Sequence, residues 1–384
     1  MRESFSRGEG RKVKGVRVAL IHDWLNGMRG GERCLEALCE VYPDAHLYTL
    51  FYEKGKLSPT IEAMQIHTSF VQKLPFVFGK YRHYLPLFPV AIEQFDVRDY
   101  DLVISLNHCV ANGVITRPQT CHISYTFTPM RYAWDLYQDY FGGNRLRGLS
   151  RYLIPYCMNY LRMWDMVASK RVDYFVAISE HVQKRIAKHY RRTADVIYPP
   201  VDAEFYTPAT DSKKEEFFLI VSAFAPYKKL NLAIDAFNHL NVPLKIIGQG
   251  QDEKQLQALA KPHIQFLGAL SDAEVRDHYR RCRALVFPGE EDFGIVPLEA
   301  QACGTPVIAY AKGGVLETTI AGETALWFRE QTIEAIIAAL QQFEQHLFDP
   351  ITIRTHACRF AKPRFKQEMQ RYIEQKMASF SEMH

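Results

Sequence analysis

The second half of the chain most restricts what it can fold into. Strand-like apolar runs at 217–224, 243–248, 264–268, 284–287 and 306–310 alternate with helix-like stretches at 230–240, 252–260 and 272–281. Short apolar runs read as fully buried strands, and apolar residues at a period near 3.6 read as amphipathic helices. Such β-α alternation buries its apolar faces as a parallel sheet with helices on both sides. The first half repeats the pattern less cleanly, with strands at 16–21, 46–51, 101–106, 122–127 and 174–179 and helices at 30–41 and 180–189. A length of 384 residues accommodates two or three domains. Pro199 and Pro200, within 197–202, break regular structure and stiffen a linker. The predicted class is therefore α/β, with two doubly wound Rossmann-like domains facing a cleft. The predicted units are a disordered basic tail at 1–15, domains at 16–198 and 199–362, and a C-terminal helix at 363–384.

The chemistry concentrates in the stretch from Phe287 to Ala309. Glu291 and Glu299 stand there with seven residues between them. A strand-like run precedes Glu291, Gly294 allows a tight turn, and Pro297 sits where the first turn of a helix accepts proline. Strand, glycine loop and helix N-terminus follow in order. Such a terminus presents unpaired N–H groups and a positive dipole end to an anion, and carboxylates beside it accept hydrogen bonds from hydroxyls. A sugar nucleotide offers both. Taken alone, two glutamates at this spacing are as easily a loop acid and a helix-surface acid.

The first half carries weaker phrases. Arg29-Gly-Gly-Glu32 follows the first strand and opens a helix, so Gly30 and Gly31 suit a phosphate loop or a plain tight turn. His108 closes the phrase Ser105-Leu-Asn-His108, and a lone histidine there is often only packed. Lys228 and Lys229 follow Ala225-Pro-Tyr after a strand, where they are either phosphate cations or a solvated helix start. Gly248-Gln-Gly250 permits approach to a nucleotide base, and a β-α turn explains it equally well.

The phrases Pro288-Gly-Glu-Glu-Asp-Phe-Gly294 and Ala300-Gln-Ala-Cys-Gly-Thr-Pro-Val307 resemble the family-4 retaining glycosyltransferases of the GT-B fold. His22-Asp-Trp-Leu25, Gly30-Gly-Glu32, Thr128-Pro-Met-Arg-Tyr-Ala-Trp-Asp135 and Val221-Ser-Ala-Phe-Ala-Pro-Tyr-Lys228 resemble its WbaZ-like branch, which assembles O-antigen and other surface glycans, typically from GDP-mannose. The resemblance spans about 16–330. It implies a retaining hexosyl transfer, most readily of mannose from GDP-mannose to a glycan or polyprenyl-diphosphate-linked acceptor, with no cofactor and no metal. It assigns Glu291 and Lys228 to catalysis; for the histidine that many relatives place near the transferred sugar, either the pocket differs or His108 or His22 serves, and His108 is taken as the third catalytic candidate. It assigns Gly30, Gly31, Lys228, Lys229, Gly248, Gly250, Glu291, Phe293, Gly294, Ile295, Val296 and Glu299 to the nucleotide sugar, with Glu299 on the ribose and Glu291 on the hexose. It also implies that the last helix crosses back onto the first domain. Two positions depart from the pattern. Phe127 stands where many relatives have a histidine, and Ala223 where the broader family has an arginine. A silent homologue acting as a binding partner, or another GT-B enzyme such as an epimerase, are the alternatives.

Charge narrows the partners. The formal charge of +4 is concentrated in residues 1–15, where five basic residues face two acids, so the remainder is too balanced for a dedicated nucleic-acid binder. The first residues lack the apolar core of an export signal, and no apolar run approaches a membrane span. Eight cysteines without a Cys-x-x-Cys pair read as free buried thiols of a cytoplasmic protein. Residues 145–174 interleave Arg145, Arg147, Arg151, Arg162, Lys170 and Arg171 with aromatic and aliphatic side chains, and 73–95 has a similar character. That pattern fits either peripheral contact with the inner face of the plasma membrane or a core-facing helix with a basic outer face.

Overall fold

The computed structural model describes residues 15–142, 148–209 and 214–383. The basic tail, apart from Gly15, therefore lies outside the described residues, as do Arg145 and Arg147.

Among the described residues thirteen strands, all paired in parallel, form two sheets. The first holds β1 (Val18–His22), β2 (His46–Thr49), β3 (Gln65–Thr68), β4 (Leu102–Asn107), β5 (Cys121–Thr126), β6 (Tyr174–Ala177) and β7 (Asp195–Val196), in the order 3-2-1-4-5-6-7. The second holds β8 (Phe218–Val221), β9 (Leu244–Ile247), β10 (Ile264–Gly268), β11 (Leu285–Phe287), β12 (Val307–Tyr310) and β13 (Ala325–Phe328), in the order 10-9-8-11-12-13. Each order reverses once, between β1 and β4 and between β8 and β11. Open parallel sheets leave a ligand crevice beyond the carboxyl ends of the strands at that reversal. This is the GT-B arrangement of two Rossmann-like domains.

The central strands are buried on both faces, which explains their nearly unbroken apolar runs. Leu20 packs with Leu35 and Leu38 of helix Gly30–Val41 on one side of the first sheet. Ile21 packs with Phe88, Ile92, Met158 and Leu161 on the other. The first of these clusters continues into the second domain through Leu219, Leu285 and Leu298. Helix Lys362–Met383 joins the same cluster through Phe365, Met369 and Ile373, and Lys362 and Lys366 reach Glu40 of the first domain at 2.9 and 3.1 Å.

Several elements differ from the sequence expectation. The strand read at 217–224 ends at Val221, because Ser222 to Ala225 turn away toward Lys228. Strands β3, β7 and β13 carried no expectation; β3 reads Gln-Ile-His-Thr on a sheet edge, and β7 has only two residues. Six of the eight thiols are buried, but Cys157 is half-buried and Cys358 exposed, which corrects the reading that all are buried. Helix Ser150–Ala168 turns Met158, Leu161, Asp165 and Ala168 inward and leaves Tyr152, Tyr156, Met163 and Val167 exposed. Among the described residues no helix is long and apolar enough to cross a membrane.

Candidate functional site

The second-domain wall is built by the loop after β11. Helix Ile295–Ala302 starts from Gly294, whose φ of +98° lies in the left-handed region open to glycine. Ile295 and Val296 open the helix, and Pro297 falls in its first turn. Glu291 is locked by its backbone: Gly314 N–H donates to its carbonyl at 2.8 Å, and a Cβ on Gly313 would come within 2.4 Å of the same oxygen. Its carboxylate is in contact with Lys228 and lies 3.3 Å from Arg131 Nη2. Lys228 closes the turn Pro226–Lys228, and the small Gly289 lets that turn approach, with its Cβ position 3.0 Å from Lys228 Cα. Burial, then the neighbouring Arg131, works to bring the Lys228 ammonium down to about 7, while Asp292 pulls it up. The Glu291 carboxylate in contact with it favours the charged ammonium.

Glu299 lies further along the same helix and accepts a hydrogen bond from Tyr279 Oη at 3.1 Å. Burial pushes its carboxyl up to about 8, against that bond and the more distant Arg33. Phe293 packs on Tyr198 of the linker, with ring centres 5.9 Å apart. Lys229 does not join Lys228; its ammonium lies 3.8 Å from Asp139 of the first domain. At Gly248 and Gly250 the close approach is to the chain itself, since Cβ atoms there would fall 1.8 Å from Ser222 O and 2.4 Å from Phe224 O.

The first-domain wall comes from the ends of β1 and β4. Gly30 opens its helix directly opposite the second domain, its Cβ position 3.6 Å from Ile295 Cγ2. Gly31 faces the Phe127 ring at 3.4 Å and His22 Nε2 at 3.6 Å. Burial holds the His22 imidazole below its ordinary value. His108, directly after β4, places Nδ1 at 2.9 Å from the buried Asp23 carboxylate. Burial works against charge on Asp23, but the His108 ring and backbone N–H donors keep its carboxyl below the usual range. Gly30 thus meets Ile295 across the domains, and Lys228 meets Glu291 within the second. His108 lies beyond Phe127, ring centres 6.4 Å apart.

The main feature that sequence reasoning missed is a clamp between the domains. The buried Asp292 carboxylate receives Arg131 Nε and Arg185 Nη1, each at 2.5 Å, and Ser179 Oγ donates to its carbonyl at 2.5 Å. Arg131 also lies 5.6 Å from the Tyr227 ring centre. Burial opposes the Asp292 charge, but the two guanidinium groups hold the carboxyl below its ordinary value. A second link pairs Arg33 with Asp272, and a third sets Glu317 on the N–H groups of Glu180 and His181 at 2.7 and 3.0 Å. Arg131 and Asp292 each lie inside a quoted phrase, but 161 positions separate them. Among the described residues no group of three or more His, Cys, Asp or Glu side chains is gathered to hold a metal ion.

Residues 28–205 match the family model described as Glycosyltransferase Family 4, and residues 203–346 that described as Glycosyl transferases group 1. The uncharacterized glycosyltransferase MJ1178 of Methanocaldococcus jannaschii is 33% identical over 43% of this chain and 48% of its own. The D-rhamnosyltransferase WbpZ of Pseudomonas aeruginosa is 29% identical over 47% of this chain and 50% of its own. The chain thus spans about half the length of these two relatives. The alpha-1,3/1,6-mannosyltransferase ALG2 of Saccharomyces cerevisiae is 27% identical over 80% of this chain and 72% of its own. Among solved structures, Anabaena Alr3699/HepE in complex with UDP and glucose superposes with a TM-score of 0.67, at 16% identity, over 94% of this chain and 99% of that one. That likeness shows the fold.

Proposed function

We propose, for a chain with the GT-B fold whose halves match Glycosyltransferase Family 4 and Glycosyl transferases group 1, that it transfers a hexose from a nucleotide diphosphate to a glycan or lipid-linked acceptor. The observation that carries this reading is the contact of Lys228 with Glu291, on the loop that leads into the helix start at Gly294 and Ile295. An incoming diphosphate finds there an ammonium, free helix N–H groups and the Gly30 backbone. Glu291, released from Lys228, is left to accept hydroxyls of the hexose. Glu299 is set to accept the ribose hydroxyls.

Breaking the bond from the anomeric carbon to the diphosphate leaves negative charge on phosphate and positive charge on the sugar ring. Catalysis then consists of stabilising both and holding the acceptor hydroxyl in line. Retention of configuration, a GDP-mannose donor and a place in surface-glycan assembly complete the proposal. Support comes from the WbaZ-like phrases and from relatives named as mannosyltransferases. The exposed Tyr152, Tyr156, Met163 and Val167 of helix Ser150–Ala168 supply a peripheral membrane face for a lipid-linked acceptor.

Thermal-shift titration with GDP, UDP and ADP tests the donor class. A selective response to GDP, followed by mannosyl transfer from GDP-mannose to a polyprenyl-diphosphate glycan, is the expected result. Tight GDP binding with no turnover on any acceptor supports the silent reading instead.

A further inference from the structure

Asp23 and His108 stand at the carboxyl ends of β1 and β4, the strands on either side of the order reversal. Asp23 is 0% exposed, so its charge is balanced entirely by protein donors. Oδ1 accepts from the N–H groups of Val110 at 2.6 Å and Ala111 at 2.8 Å. Oδ2 accepts from those of His108 at 2.7 Å and Cys109 at 3.0 Å. Four backbone donors already satisfy a buried carboxylate, and they account for the turn at 108–111 without any help from a side chain. The His108 ring is a fifth donor. A carboxylate only accepts, so Nδ1 carries the hydrogen and, in the neutral ring, Nε2 carries the lone pair. The ring stands edge-on to Trp24, centres 4.4 Å apart, and the side chain is 30% exposed. Its open edge is the one opposite buried Asp23, which bears Nε2. Phe127, 6.4 Å away, offers no hydrogen bond of its own.

We infer that Asp23 is a positioning residue holding His108 in the Nδ1–H tautomer, and that His108 Nε2 accepts a hydrogen bond from a sugar hydroxyl in the cleft. The inference rests on the glycosyl-transfer reading above. The hydroxyl belongs either to the hexose in transit or to the acceptor, and the same nitrogen serves both chemistries. Other titratable groups around the pair are His22, its ring centre 6.0 Å from that of His108, Cys109, hydrogen-bonded to Tyr132, and the buried Asp165, whose charge Asp23 opposes.

Nitrogen-15 NMR of the imidazoles near pH 7.5 reads the tautomer without any donor, with His108 assigned by its loss in His108→Ala. A bare Nε2 is expected, and a protonated Nε2 overturns the inference. Asp23→Asn, which sets an amide against four N–H donors, endangers the fold; His108→Ala leaves those donors satisfied and is the variant for binding. By calorimetry it should bind GDP as the wild type does. It should lose roughly tenfold either in affinity for GDP-mannose, if the hydroxyl is on the moving hexose, or in affinity of the GDP complex for methyl mannoside, if it is the acceptor's. No change in either affinity overturns the inference. A wild type that binds neither GDP nor GDP-mannose defeats the donor reading and with it the sugar hydroxyl on Nε2, while the tautomer still decides the positioning role of Asp23.

Discussion

Asp292→Asn is the most informative single change to the clamp. The native carboxylate is buried between Arg131 and Arg185 at 2.5 Å each, so an amide there leaves two guanidinium groups short of a counter-charge. Removing one partner of a buried ion pair costs about 3–5 kcal/mol. Here Arg131 keeps Glu291 at 3.3 Å and Arg185 keeps Asp135 at 2.6 Å, which places the loss at the lower end, about 3 kcal/mol. For a domain of this size that corresponds to a fall of roughly 6–12 °C in the midpoint of thermal unfolding. The sign with pH follows from the depressed carboxyl. Its stabilisation is present above the unfolded value near 4 and disappears only as pH falls through the native one, so the variant should differ from wild type at neutral pH and converge with it in acid. Calorimetric melts of wild type, Asp292→Asn, Arg131→Met and the double variant at low salt measure both the loss and the coupling. A midpoint within 1 °C of wild type, or strict additivity of the two single changes, refutes the clamp.

Glu299→Gln should alter the alkaline side. A carboxyl raised to about 8 binds its proton more tightly folded than unfolded, so wild-type stability falls as pH climbs from about 4.5 to 8, by at most about 5 kcal/mol. Urea melts should show a flatter pH dependence in the variant, and equal slopes refute the assignment. Gly294→Ala places a Cβ on a residue at φ +98° and should cost roughly 1–3 kcal/mol, with nucleotide affinity falling as the helix start shifts. Lys228→Met should weaken GDP binding about ten- to a hundredfold, whereas Glu291→Gln should slow transfer and change GDP affinity little. Equal loss of GDP affinity in both would place Glu291 on the phosphate instead.

Much of the architecture was legible from periodicity. Helices Gly30–Val41, Glu180–His189, Leu230–Leu240 and Asp272–Arg281 match the sequence spacing, because each buries one apolar stripe against a sheet. Strands β3 and β7 escaped notice because an edge strand of mixed polarity and a two-residue strand leave no period to read. The opening of helix Ile295–Ala302 was equally local, since glycine and proline state their backbone preferences by themselves.

What the chain determines by itself, then, is the alternation of buried strands and amphipathic helices, the glycine-started helix, and the residue types that can meet an anion or a hydroxyl. Which of those residues share a space was decided only by the fold. Lys228 meets Glu291, Arg131 and Arg185 meet Asp292, Gly30 meets Ile295, and Lys229 turns to Asp139 instead of the cleft. The reason is physical. Secondary structure responds to neighbours a few positions apart, whereas a buried charge is stable only where a partner from far along the chain arrives at hydrogen-bonding distance.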